Sequence, residues 1–174
     1  MSDQLHVVED HAALALPPGA GAELARIAGA AAGELGARLV TVSLWRGGSR
    51  DLVRVHSSLP EVYAVGGISR VLGAEWLRRC VDNHESYLAE DESAVNSDSF
   101  EHHGVLAALE LTAALNAVVV HRGRFLGCLN LLDAAGRYSA ASVARAEAHA
   151  GALAAVLRRI PEPRDVRPRG PLTI

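Results

Sequence analysis

The stretch from Thr112 to Asp133 constrains this chain more than any other. It consists of two apolar runs joined by Arg122-Gly123. Gly123 can take the positive φ that a two-residue turn requires, and the flanking residues are the β-branched and bulky apolar types that suit strands, so the stretch reads as a β-hairpin. A helix follows at once.

At 174 residues, 49% of them apolar, the chain can bury one well-covered core but not two. The formal net charge is -3 and every basic residue is Arg, spread along the chain, so there is no basic stripe of the kind nucleic acid attracts. The absence of Lys beside abundant Ala, Arg and Gly points to a high-GC bacterial genome. The N-terminus has neither a basic nor an apolar leader region, and no segment approaches the ~18 apolar residues that span a bilayer. The expectation is a cytoplasmic protein without membrane or nucleic-acid partners. Cys80 and Cys128 form no Cys-x-x-Cys pattern and read as free thiols in a reducing compartment.

Pro17-Pro18-Gly19 punctuates the start, and Leu24, Ile27, Ala28, Ala31 and Leu35 then recur at helical spacing until Gly36. Arg38 to Trp45 and Asp51 to His56, turned at Gly47-Gly48, predict a first hairpin, and Glu61 to Val65 a third strand. From Leu72 a helical stripe carries Trp76, Leu77, Cys80, Val81 and His84; Ser86-Tyr87-Leu88 returns as a strand. A polar loop leads to a short helix near Phe100 to Leu109. After the second hairpin a helix runs from about Ala140 to Arg159, with Ser139 as its N-cap. The division is an N-terminal extension (1–18), one domain (19–160) and a Pro/Arg-rich tail (161–174) with little to bury, read as disordered or as a partner contact. The fold class is α+β, a hairpin-rich sandwich rather than a βαβ alternation.

Taken in this order, about Ala20 to Arg159 resembles the GAF domain, a small regulatory fold whose members bind different small ligands in one pocket or only dimerise. The final hairpin carries most of the likeness: Val118-Val119-Val120, the Arg122-Gly123 turn, and Phe125-Leu126-Gly127-Cys128-Leu129-Asn130-Leu131 with its Leu-Gly-x-Leu signature. The resemblance implies a six-stranded antiparallel sheet with the first and last helices on one face and a loop-covered ligand cavity on the other. The chain lacks the Asn-Lys-Phe-Asp-Glu signature of the cyclic-nucleotide-binding type. Neither cysteine is followed by the His of the bilin-attaching type. Free methionine-(R)-sulfoxide reductases are the enzyme alternative, but their Gly-x-Cys-Gly corresponds here to Val71-Leu72-Gly73-Ala74, without the thiol.

Cys80 and Cys128 both sit among apolar residues and read as small buried hydrophobes. The pair His102-His103, near Glu101, Asp91, Glu92 and Asp98, invites a metal reading. Adjacent helical residues face different directions, so a solvated loop is the plainer account, with His103 kept as a candidate at a cavity mouth. Asn116 and Asn130 interrupt apolar strands, and a buried amide without a partner costs roughly 1–3 kcal/mol, so each is expected to be bonded. Counting two by two from the Arg122-Gly123 turn sets Asn116 opposite Leu129 and sends the two amides to opposite faces. Thr41 and Ser43 share one strand face; Tyr63 and Trp76 offer aromatic walls or plain core.

The resulting expectation is a non-enzymatic sensory or regulatory domain with an unidentified small-molecule ligand. Its candidate ligand-binding residues are Thr41, Ser43, Tyr63, Trp76, His103, Asn116 and Asn130, with no catalytic residue, no metal site and no cofactor named. Two alternatives stand beside it: a thiol reductase of the sulfoxide type, and a dimerisation module with a vestigial pocket. A homodimer is expected from the seam Val143, Ala146, Ala150, Leu153, Leu157 and Ile160 in the last helix, with Gly29, Ala32 and Gly33 of the first admitting a close helix.

Overall fold

A computed structural model describes residues 5–91 and 103–166, His103 in its backbone only. A two-residue strand, β1 (Ala12–Ala13), precedes helix α1 (Ala20–Leu35), which ends where Gly36 adopts φ 80. Strands β2 (Leu39–Arg46) and β3 (Asp51–Ser57) form the first hairpin, followed by β4 (Ile68–Ser69). The short helix α2 (Ala74–Trp76) runs into a π-helical segment, Leu77–Asp82, then β5 (Tyr87–Ala89) and helix α3 (His103–Ala108). Strands β6 (Ala113–His121) and β7 (Arg124–Asp133) form the second hairpin, followed by helix α4 (Ala140–Leu157) and β8 (Arg164–Asp165). The main sheet has six antiparallel strands in the order β4-β3-β2-β7-β6-β5.

One face of this sheet is the core. Leu24, Ile27, Ala28, Ala31 and Leu35 of α1 and Ala146, Ala150, Leu153, Val156 and Leu157 of α4 close over Val40, Val42, Leu115, Ala117, Leu129 and Leu131. Each buried Leu or Val there contributes about 1.5–3 kcal/mol relative to exposure, and the 3.6-residue and two-residue periods bring the two sets face to face. Ser139 caps α4; its backbone N–H donates to Ser142 Oγ at 3.1 Å. The expected dimer seam, from Ala146 through Ala150, Leu153 and Leu157 to Ile160, is buried in this core with Val143 packed against it. The seam therefore covers its own sheet.

The third strand lies later than expected. Glu61 to Val65 is a turn, because Pro60 takes the second position of a reverse turn and the Leu59 carbonyl accepts from the N–H groups of both Val62 (3.0 Å) and Tyr63 (2.8 Å). Extended pairing resumes only at Ile68, opposite Val53.

The second hairpin turns at Arg122-Gly123, with φ 51 and φ 73, the two positive values of a type I′ turn. Its register differs from the two-by-two count. His121 pairs with Arg124 and Val120 with Phe125, but Val119 pairs with Gly127, so Leu126 is the extra residue of a β-bulge. Beyond the bulge every partner moves by one, and Asn116 faces Asn130 rather than Leu129. The amides expected on opposite faces stand on the same one. Gly127 makes this possible, since a Cβ there would lie 1.9 Å from the Ser43 carbonyl oxygen.

The two ends of the described chain also meet. β1 pairs antiparallel with β8, the Val166 N–H donates to the His11 carbonyl, and the Ile68 N–H donates to the Asp10 carbonyl. Pro163, Arg164 and Asp165, expected to bury little, are held by Arg46, whose Nη1 donates to the Pro163 carbonyl (3.0 Å) and to Asp165 Oδ1 (2.7 Å).

Candidate functional site

On the face away from α1 and α4, the strands present a different set of side chains. β2 contributes Leu39, Thr41 and Ser43; β7 contributes Asn130 and Leu132; β6 contributes Asn116; and β3 contributes Leu52 and Arg54. Tyr63 and Ser69 approach from one side, and Leu72, Trp76 and Leu106 from the segments that cross over the sheet. Together they line a cavity of about 120 Å³. For scale, a dry cavity of about 150 Å³ admits benzene.

A chain of hydrogen bonds crosses the cavity wall. Trp76 Nε1–H donates to Asn116 Oδ1 (3.1 Å), and Asn116 Nδ2 donates to Asn130 Oδ1 (2.9 Å). Asn130 Nδ2 then donates to Thr41 Oγ1 (3.0 Å) and Ser43 Oγ (3.3 Å). An indole nitrogen can only donate, so it fixes which end of the Asn116 amide faces it, and that choice fixes Asn130 in turn. Trp76 itself is held edge-on to Phe125, ring centroids 6.4 Å apart. Thr41, Ser43, Trp76 and Asn116 are all buried.

Arg54 brings the charge. Its Nη1 donates to Glu9 Oε1 (2.6 Å) and to the Ala64 carbonyl (2.9 Å), its Nη2 lies 3.4 Å from Glu9 Oε2, and its guanidinium carbon sits 5.0 Å from the Tyr63 ring centroid. Both charged side chains are almost wholly buried, at 6% and 2% exposure, so the cavity wall carries a neutralised pair. Burial pushes the Tyr63 phenol well above its ordinary value, the Arg54 charge opposing the shift, so it stays protonated at neutral pH.

Thr41, Ser43, Tyr63, Trp76, Asn116 and Asn130, singled out from the sequence, are thus brought to one cavity. The His103 side chain and His102 lie outside the described residues. Sequence reasoning missed Arg54 and the apolar lining from Leu39, Leu52, Leu72, Leu106 and Leu132. Leu39 and Leu132 share the two-residue period of Thr41 and Asn130, a signal that was available. Arg54 is reached only through the pairing of β2 with β3, where it stands opposite Ser43.

Cys80, carried on the π segment, and Cys128, on β7, are free thiols buried in one cluster with Trp76, Phe125 and Leu52. Burial, reinforced by a hydrogen bond to the Cys80 thiol, pushes the Cys128 thiol well above its ordinary range. A thiol so placed is a poor nucleophile. Among the described residues no three His, Cys, Asp or Glu side chains gather as a metal-ligand set, and no helix is long and apolar enough to cross a membrane.

By sequence, no family model and no curated protein matches the chain. By structure the likenesses are to GAF domains. The GAF domain of a phosphoenolpyruvate-protein phosphotransferase (ptsP) from Coxiella burnetii superposes with a TM-score of 0.65 at 16% identity, covering 82% of this chain and 84% of that one. The GAF domain/HD domain protein from Geobacter sulfurreducens gives 0.63 at 14%, covering 80% and 92%. The second GAF domain of DevS from Mycobacterium smegmatis gives 0.56 at 14%, covering 80% and 93%.

Proposed function

We propose that this chain, which has the fold of a GAF domain, is a sensory or regulatory module that binds a small molecule between its sheet and the crossing segments and does no chemistry on it. One observation carries the reading: the polar chain from Trp76 through Asn116 and Asn130 to Thr41 and Ser43 is built into the wall of a mostly apolar cavity. Ligand sites of small-molecule binders have this composition, an apolar lining with a few placed polar groups that set orientation. Several of the structural relatives are parts of signalling proteins by their descriptions, among them a methyl-accepting chemotaxis protein and a two-component sensor histidine kinase protein. The protein acts in the bacterial cytoplasm as a homodimer, with α1 and α4 at the interface.

The reductase alternative is disfavoured by its own requirement. It needs an attacking thiolate, and both thiols are fully buried, Cys128 with its ionisation suppressed.

Native mass spectrometry of the purified chain is the direct test. A co-purified small molecule is expected, and its occupancy should fall in an Asn130→Leu variant. A protein that carries no adduct and whose Trp76 indole resonance is unmoved by xenon would remove the reading.

A further inference from the structure

The hydrogen-bond chain in the cavity wall has a direction, and the direction selects a ligand. Trp76 starts it as a donor that cannot accept. Asn116 and Asn130 pass the polarity on, and both Nδ2 hydrogens of Asn130 are spent on Thr41 Oγ1 and Ser43 Oγ. Those two hydroxyl oxygens therefore receive, and each keeps its own O–H proton to give. Among the described residues neither hydroxyl has an acceptor, although Thr41 and Ser43 are only 5% and 8% exposed and both line the cavity.

The two hydroxyls flank one nitrogen, Asn130 Nδ2, at 3.0 and 3.3 Å. One carbonyl oxygen, with two lone pairs, can accept from both. Among the described lining residues Arg54 is the only charged side chain, and it is already matched by buried Glu9. Among the described residues of the wall none is left to neutralise a carboxylate or an ammonium group, whose burial without a partner is costly.

Building on the small-molecule reading above, we infer that the cavity takes a small, uncharged, acceptor-bearing molecule, a ketone, aldehyde, ester or lactone, with its carbonyl oxygen between Thr41 and Ser43 and its carbon skeleton against Leu39, Leu52, Leu72 and Leu132. The hydroxyls act as orienting donors, and the Asn pair aims them.

Cyclopentanone and its isostere methylenecyclopentane are suitable probes for the full chain, with the Trp76 indole N–H resonance and calorimetry as readouts. The ketone-to-hydrocarbon affinity ratio is expected to fall about tenfold in Thr41→Val/Ser43→Ala relative to the unsubstituted protein, the loss of two net hydrogen bonds. A second measurement needs no variant: the carbonyl stretch of bound cyclopentanone should lie below its frequency in a hydrocarbon solvent, as a doubly hydrogen-bonded carbonyl does. An unshifted stretch, an unchanged ratio in a folded variant, or tighter binding of cyclobutanecarboxylate than of the ketone would overturn the inference. If the hydrocarbon binds and the ketone is not favoured, the ligand class is wrong while the binding reading stands. If xenon and both ring compounds leave the indole resonance unmoved, the binding reading falls and takes this inference with it.

Discussion

Asn116 and Asn130 stand directly opposite each other on adjacent strands, Nδ2 of the first 2.9 Å from Oδ1 of the second. Asn116 is buried and both amides take protein partners, so each depends on the other. Asn116→Leu leaves the Trp76 indole N–H and the Asn130 carbonyl oxygen without their partners, and should cost about 2–3 kcal/mol. Trp76→Phe strands only the Asn116 oxygen and loses some packing, a smaller effect. Urea denaturation with unchanged slope would measure both.

The bulge that creates this pair rests on Gly127. An alanine there would drive its Cβ into the Ser43 backbone, which no side-chain rotation relieves. Gly127→Ala should destabilise the protein by about 3 kcal/mol or more, at the upper end of overpacking costs. Thermal unfolding measures the loss, and loss of the Trp76 indole shift in the surviving folded fraction would report the disturbed register.

Glu9 lies in the stretch read from the sequence as an extension, yet its carboxylate is buried against Arg54. Glu9→Ala would leave that guanidinium buried with the Ala64 carbonyl and the Tyr63 ring beside it but no carboxylate from position 9. Removing one partner of a buried pair costs about 3–5 kcal/mol, and the denaturant midpoint should fall accordingly. Arg145→Ala, which breaks the half-exposed contact with Glu34, should change it by less than about 1 kcal/mol.

Asp165 links the C-terminal segment to Arg46 and Arg70, and hydrogen bonds from those two residues hold its carboxyl below the ordinary 3.8. A depressed carboxylate stabilises the folded arrangement above its unfolded-state pKa, and that stabilisation is lost as the pH falls through the folded-state value. Acidification from pH 5 toward and below 3.8 should therefore loosen the β1–β8 pairing. Faster hydrogen exchange at Val166 N–H, after correction for the intrinsic rate, is the readout; Asp165→Asn should show the loosening already at pH 7.

For assembly, the surface left to a partner is the outer face of α4, where Ala144, Ala148, Ala152 and Ala155 are exposed, beside exposed Gly29 and Gly33 of α1. Light scattering should give a dimer at micromolar concentration, and Ala148→Arg should convert it to a monomer with unchanged helicity. Ala150→Glu should instead unfold the chain, because Ala150 is fully buried against its own sheet. A monomeric unsubstituted protein would refute the dimer.

Local chemistry was enough to read much of this protein from its sequence. The Arg122-Gly123 turn, the helix faces built on Leu24, Ile27 and Ala31 or on Ala146, Ala150 and Leu153, the Ser139 cap and the shared face of Thr41 and Ser43 each depend on residues a few positions apart, where period and turn stereochemistry decide. The GAF fold followed from their order. What the tertiary structure decided were relations in which one distant strand or terminus chooses for another. The bulge at Leu126 exists because β2 passes so close to Gly127 that only a glycine fits, and one added residue reverses every face assignment beyond it. Pairing of β1 with β8, and of Glu9 with Arg54, joins segments far apart in the chain that no local period relates. A two-residue period describes a single strand; which strand lies beside it, and in what register, is settled only when the whole sheet closes over its core.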